Sequence, residues 1–169
     1  MNNNPNIDLL KWMLEDIRKE TLAGVDHLTD KQLFEAPVNG EYPIGSYLMH
    51  LAECDIHWLE VLSGIEQPED LKSESFYNVW FDPSGDASPP DSPINKNIYF
   101  TVIEKARKNF LDYISGLNDN ILDEDVTLKG KTKDFTFKKK WIIYHIIEHE
   151  AHHRGQMFML IRMAGWNKK

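Results

Sequence analysis

Seven histidines are spread over 169 residues, and four of them, His145, His149, His152 and His153, fall within nine positions near the C-terminus. Imidazole nitrogen is a common ligand for zinc, nickel, copper and iron, and two histidines four residues apart on a helix project side by side toward one ion. His149 and His153 have that spacing. At about 100° per residue, with Ile142 set to zero, His149 falls at about −20°, His153 at about +20° and Leu160 at about zero, so the pair occupies the middle of an apolar stripe. His145 and His152 fall at about −60° and −80°, toward its edge. A single buried histidine is more often a neutral core imidazole bonded to a neighbour. Two at the centre of one stripe leave four ring nitrogens to satisfy, and a shared cation is the simplest way to satisfy them.

A third ligand must come from another helix, where His50 and His57 are the candidates. Seven residues apart, they share nearly one face with Glu53 and Cys54, beside the apolar arc of Leu48, Leu51, Trp58 and Leu62, and periodicity does not separate them. His57 read alone is a surface or supporting group, and Cys54 a small core residue rather than a thiolate ligand. His27 has no partner spacing. Residues 149 to 153, HEAHH, match the H-E-x-x-H pattern of zinc peptidases with Glu150 as the base. Those enzymes commonly take a third ligand from downstream sequence, but RGQMFMLIRMAGWNKK holds no Glu, His or Asp. The peptidase reading therefore fails, and Glu150, at about +80° on the same wheel, is expected to be an exposed carboxylate.

Four stretches with a 3.6-residue period must position these side chains, and the fold class expected is all-α. The first helix is expected from Asn6 or Asp8 to Gly24, with Leu10, Leu14, Ile17 and Thr21 on one stripe. The second runs from Gly45 to Ser63, stopped by Gly64. The third, from Pro93 to Ser115, carries Ile94, Ile98, Val102, Ala106 and Phe110 at four-residue steps, and the last spans Lys138 to Ala164. Between the second and third lies a long loop, residues 66–93, whose segment FDPSGDASPPDSP has too many prolines for a helix. Its aromatics Phe76, Tyr77, Trp80 and Phe81 are too many for a solvated linker, so part of it is expected to cross an open end of the bundle. VTLKGKTKDFTF, with β-branched and aromatic residues on both sides of KGK, reads as a small hairpin.

A chain of this length fits one domain, residues 1–169. With 41% hydrophobic and 27% charged residues it is globular in composition. Nineteen basic against 27 acidic residues give a net charge of −8, which offers no attraction to nucleic acid or anionic membranes. Cys54 is the sole cysteine, the N-terminus MNNNPNIDLLKW lacks a signal-peptide pattern, and no run approaches the roughly 18 apolar residues a spanning helix needs. The expected location is the cytoplasm.

YLMHLAECDIHW in the second helix and YHIIEHEAHHRGQMFMLIRMAG in the last resemble the DinB family of small bacterial metal-binding four-helix proteins. The resemblance extends over nearly the whole chain. Carried over residue by residue, it implies His50, His149 and His153 as the metal ligands, with His50 preferred to His57. It implies a four-helix bundle with up-up-down-down topology, a homodimer, and a nickel or zinc ion in a three-histidine site that keeps positions for water. Arg154 and Gln156 match the family motif. Some relatives use low-molecular-weight thiols such as bacillithiol or mycothiol, so the implied activity is a metal-dependent thiol S-transferase acting on a small electrophile. A non-catalytic metal-binding dimeric stress protein and a metal-dependent hydrolase are the alternatives. Which of Glu53, Tyr47, Trp58 and the loop aromatics line a pocket is left open by the sequence.

Overall fold

The computed structural model describes residues 4–81 and 88–168. In chain order its elements are α1 Pro5–Val25, α2 Asp30–Phe34, α3 Ile44–Ser63, α4 Glu69–Glu74 and α5 Lys96–Ser115. A 3-10 turn at Asp119–Asp123, strands β1 Asp125–Leu128 and β2 Phe135–Lys138, and α6 Lys139–Met163 complete the fold. The four long helices are those expected, within a few residues at each end. Pro5 opens α1 where its missing N–H costs nothing, and Gly64, at φ +69°, closes α3 in the left-handed conformation. The third bundle helix starts three residues later than expected, because the Asn95 side chain accepts from the Asn97 N–H and caps it there. The expected hairpin is present, pairing Val126 with Phe137 in antiparallel register.

Helix α1 packs against α5 and α6, and α3 packs against the same two. Directions follow from the ends that meet. Lys96 at the start of α5 donates to the Asp26 carbonyl beyond the end of α1, and Asp119 beyond α5 accepts from Asn6 and Ile7 at the start of α1, so these helices are antiparallel. His27 after α1 meets Trp166 after α6, and Gly45 and Leu62 of α3 meet Tyr99 and Tyr113 of α5, so both of those pairs run parallel. The order is therefore up, down, down, up, which corrects the expected up-up-down-down direction. The physical reason is the length of residues 64–95, enough to carry the chain from the end of α3 back to its starting end. Gly45 permits the α3 and α5 crossing, since a Cβ there would lie 2.5 Å from the Tyr99 ring and 2.8 Å from the Leu33 carbonyl.

The 64–95 connection is not all loop: α4 starts directly after Pro68, and Leu71 on it is buried. Trp80 and Phe81 are buried at the end of the bundle where α3 and α5 begin, as expected of the loop aromatics. Residues 82–87 of the proline-rich segment lie outside the described residues. On α5, Ile98 is 45% exposed, contrary to expectation. Four-residue steps drift by about 40° each on a 3.6-residue helix, so the core face passes instead through Tyr99, Val102, Ile103, Ala106 and Phe110.

Two apolar clusters fill the bundle, one around Leu48, Ile103 and Met157, the other around Leu14, Phe110 and Ile143. Between them lies a charged layer to which each long helix contributes one residue. Arg18 of α1 binds Glu150 of α6 through two nitrogens at 2.9 and 3.0 Å and Asp55 of α3 at 3.1 Å. Arg107 of α5 holds both oxygens of Asp55 at 3.0 Å and Glu150 at 2.7 Å. The guanidiniums also donate to the carbonyls of Ile103 and Leu14. All four residues are buried, and each carboxylate meets both guanidiniums, which is the condition for burying charge without a large penalty.

Candidate metal centre

His149 and His153 stand one turn apart on α6, and His50 faces them from α3. The Nε2 of His149 lies 3.2 Å from that of His50 and 3.1 Å from that of His153. Their outward nitrogens have other roles. His50 Nδ1 lies 3.2 Å from Glu53 Oε2, and His153 Nδ1 lies 2.6 Å from Gln156 Oε1. A carboxylate or amide oxygen can only accept, so both rings carry their proton on Nδ1 and present an Nε2 lone pair to the centre. His149 can donate to only one of those lone pairs, and its own Nδ1 is buried with no partner among the described residues. A cation among the three nitrogens would meet all three lone pairs, and the donor set fits one. Among the described residues this is the one group of three or more His, Cys, Asp or Glu side chains that could hold an ion.

Burial, reinforced by the neighbouring imidazoles of His153 and His50, pushes His149 down to about 3, so its ring is neutral at physiological pH. Phe81 stacks on His50 at 4.3 Å, and Tyr47 packs 5.6 Å from His153, closing one side. The other side opens into a cavity of about 280 Å³ that His50 and His149 share with His57, His145, Trp58 and Tyr77. Glu53 ties this arrangement to the chain crossing above it, because its Oε1 accepts from the Asn78 backbone N–H at 2.8 Å. A second cavity, of about 640 Å³, lies between α1 and α5 away from the histidines, and among the described residues it gathers no comparable set of ligands.

The remaining sequence candidates fall elsewhere. His57 is half-buried, with its Nδ1 3.3 Å from the Tyr77 hydroxyl. His145 stacks on Trp141 at 4.8 Å, and His152 is exposed. His27 bonds the Trp166 carbonyl at 2.7 Å. Burial raises the Cys54 thiol, which keeps it protonated and makes it a poor thiolate ligand. Glu150 corrects its expected place most sharply: it is fully buried in the charged layer, turned away from the histidines. Burial alone would raise its pKa, but Arg18 and Arg107 outweigh that and hold it at about 2. It is not a base beside the ligands, which removes the peptidase pattern on geometric grounds. Arg18, Asp55 and Arg107 were not anticipated. The available signal was a charged residue inside an apolar stripe, as Arg18 stands between Leu14, Ile17 and Thr21.

An all-α bundle with three histidines converging from two helices defines a class of candidate metalloprotein. The chain belongs to the DinB superfamily, whose pattern matches residues 13–157. Its structure is similar to that of a conserved protein from Enterococcus faecalis, at 11% identity and a TM-score of 0.71, covering 95% of this chain and 97% of that one. It is also similar to YfiT from Bacillus subtilis, described as a probable metal-dependent hydrolase with an unusual four-helix bundle topology. That match has 17% identity and a TM-score of 0.64, and covers 95% of this chain and 89% of that one. At these identities the likeness speaks for the fold. No curated protein sequence matches this chain. No helix is long and apolar enough to cross a membrane among the described residues.

Proposed function

We propose that His50, His149 and His153 hold one divalent ion, nickel or zinc, and that the protein is a metal-dependent S-transferase joining a low-molecular-weight thiol to a small electrophile. The observation that carries this reading is the convergence of three Nε2 atoms whose rings are oriented from behind by Glu53 and Gln156. When bound, a divalent ion held by three neutral imidazoles supplies Lewis acidity that lowers the pKa of a thiol toward neutrality. The chain's residues do the rest: Glu53 and Gln156 fix the ring tautomers, Phe81 and Tyr47 exclude water from one side, and the 280 Å³ cavity leaves the opposite side accessible. Hydrolysis at the same site is the second reading, favoured by the likeness to YfiT. We place the protein in the cytoplasm, where thiols are kept reduced, and as a homodimer. Light scattering should then give about 39 kDa, twice the 19.7 kDa chain, and 20 kDa at micromolar concentration would remove the dimer.

Cobalt substitution tests the transferase reading. A small thiol should produce sulfur-to-cobalt charge-transfer absorption that survives Cys54→Ala, since the sulfur comes from outside. If cobalt binds and no thiol perturbs its spectrum at millimolar concentration, hydrolytic use of the site replaces it.

A further inference from the structure

The cavity beside the three histidines has a charge character that restricts what it can hold. We propose that it selects compact ligands with one anionic donor group for the metal and a neutral or cationic remainder, and rejects those carrying a second anion. This rests on the metal reading above and adds the substrate class. At about 280 Å³ the cavity is at the small end of ligand pockets, which run from roughly 300 to 1,000 Å³. Among the described residues its lining includes no lysine or arginine, and it includes the carboxylate of Glu53. A second anionic group would find no fixed positive partner there and would lie near a like charge, in a chain of net charge −8. The wall instead offers aromatic surface from Trp58 and His145, whose rings meet edge to face at 5.4 Å, which suits apolar and cationic groups. The Tyr77 hydroxyl and the Asn78 amide supply hydrogen bonds to neutral ones. Burial lowers the His57 pKa against the opposing pull of Glu60, so this imidazole adds no charge at neutral pH.

The test uses the full chain loaded with cobalt and three hydroxamates sharing one chelating head: acetohydroxamate with a neutral tail, glycine hydroxamate with an ammonium, and succinic monohydroxamate with a carboxylate. Cobalt absorption gives each dissociation constant, compared at equal concentration of the deprotonated head. The first two should bind comparably, and the succinic compound about tenfold or more weakly. His57→Lys, which places a cation in the lining, should remove most of that penalty, and Asn78→Lys serves if the first variant does not fold. Equal or tighter binding of the succinic compound to the wild type overturns the inference, as does failure of every hydroxamate to alter the spectrum at millimolar concentration. If tail selectivity holds while no thiol gives a charge-transfer band, the transferase reading falls and the cavity assignment stands. If cobalt does not bind, both fall.

Discussion

His149 and Glu150 are neighbours in the chain with opposite destinations: the imidazole turns to His50 and His153, while the carboxylate reaches across the core to Arg18 and Arg107. One peptide unit thus joins the candidate metal centre to the charged layer, so the rotation of α6 that satisfies Glu150 also sets where His149 points.

Replacing Glu150 by Gln leaves both guanidiniums with one fewer negative partner in a buried layer. The expected cost is about 3–5 kcal/mol in denaturant unfolding. At temperatures where the variant remains folded, metal affinity should change little. A variant of unchanged stability that lost the metal would instead place Glu150 at the ligands.

Purified protein should bind one divalent ion per chain by elemental analysis after reconstitution. His50→Ala, His149→Ala and His153→Ala should each weaken binding by well over tenfold, whereas His27→Ala and His57→Ala should leave it largely intact. Loss of binding in His57→Ala with retention in His50→Ala would move the third ligand to His57.

Glu53→Gln keeps the shape of the side chain and removes its charge behind His50. The expected loss in metal affinity is about 10- to 100-fold by calorimetry. Because the same carboxylate accepts from Asn78, residues 76–81 should also become more accessible to protease in this variant. Wild-type affinity with wild-type protease resistance would show that neither contact matters.

Acid should unfold the metal-free protein in two overlapping windows. His149 has a folded pKa of about 3 against an ordinary 6.5, so the folded state takes up a proton less readily than the unfolded chain, and stability falls as pH drops from about 6.5 toward 3. Glu150 sits at about 2 against 4.5, so its contribution is complete above about 4.5 and is lost as pH falls toward 2. Denaturant midpoints measured from pH 7 to pH 2.5 check this, and Glu150→Gln should flatten the lower window alone.

Much of this was legible in the chain. Four-residue spacing within an apolar stripe marks His149 and His153, and Gly64 marks the end of α3, because both are local geometry. His50 and His57 are different: they share a face, and only the whole helix motif separates them. Glu150 was misplaced because a wheel drawn for one helix assumes one buried side, whereas α6 contacts both α1 and α3. Its partners are 132 and 43 residues away, beyond any local signal. The direction of the helices was likewise out of reach, being set by where a 32-residue connection delivers the chain.

The charged layer also bears on how the bundle assembles. Without α6, two guanidiniums face the single carboxylate of Asp55; without α1, Arg107 alone faces Asp55 and Glu150. Any three-helix intermediate therefore either buries an uncompensated charge or stays open to water at its middle. Folding should then be an all-or-none event in which α6, the last of these four helices in chain order, closes the charge balance. A nascent chain ending before Lys139 would remain unlocked and dependent on its completion.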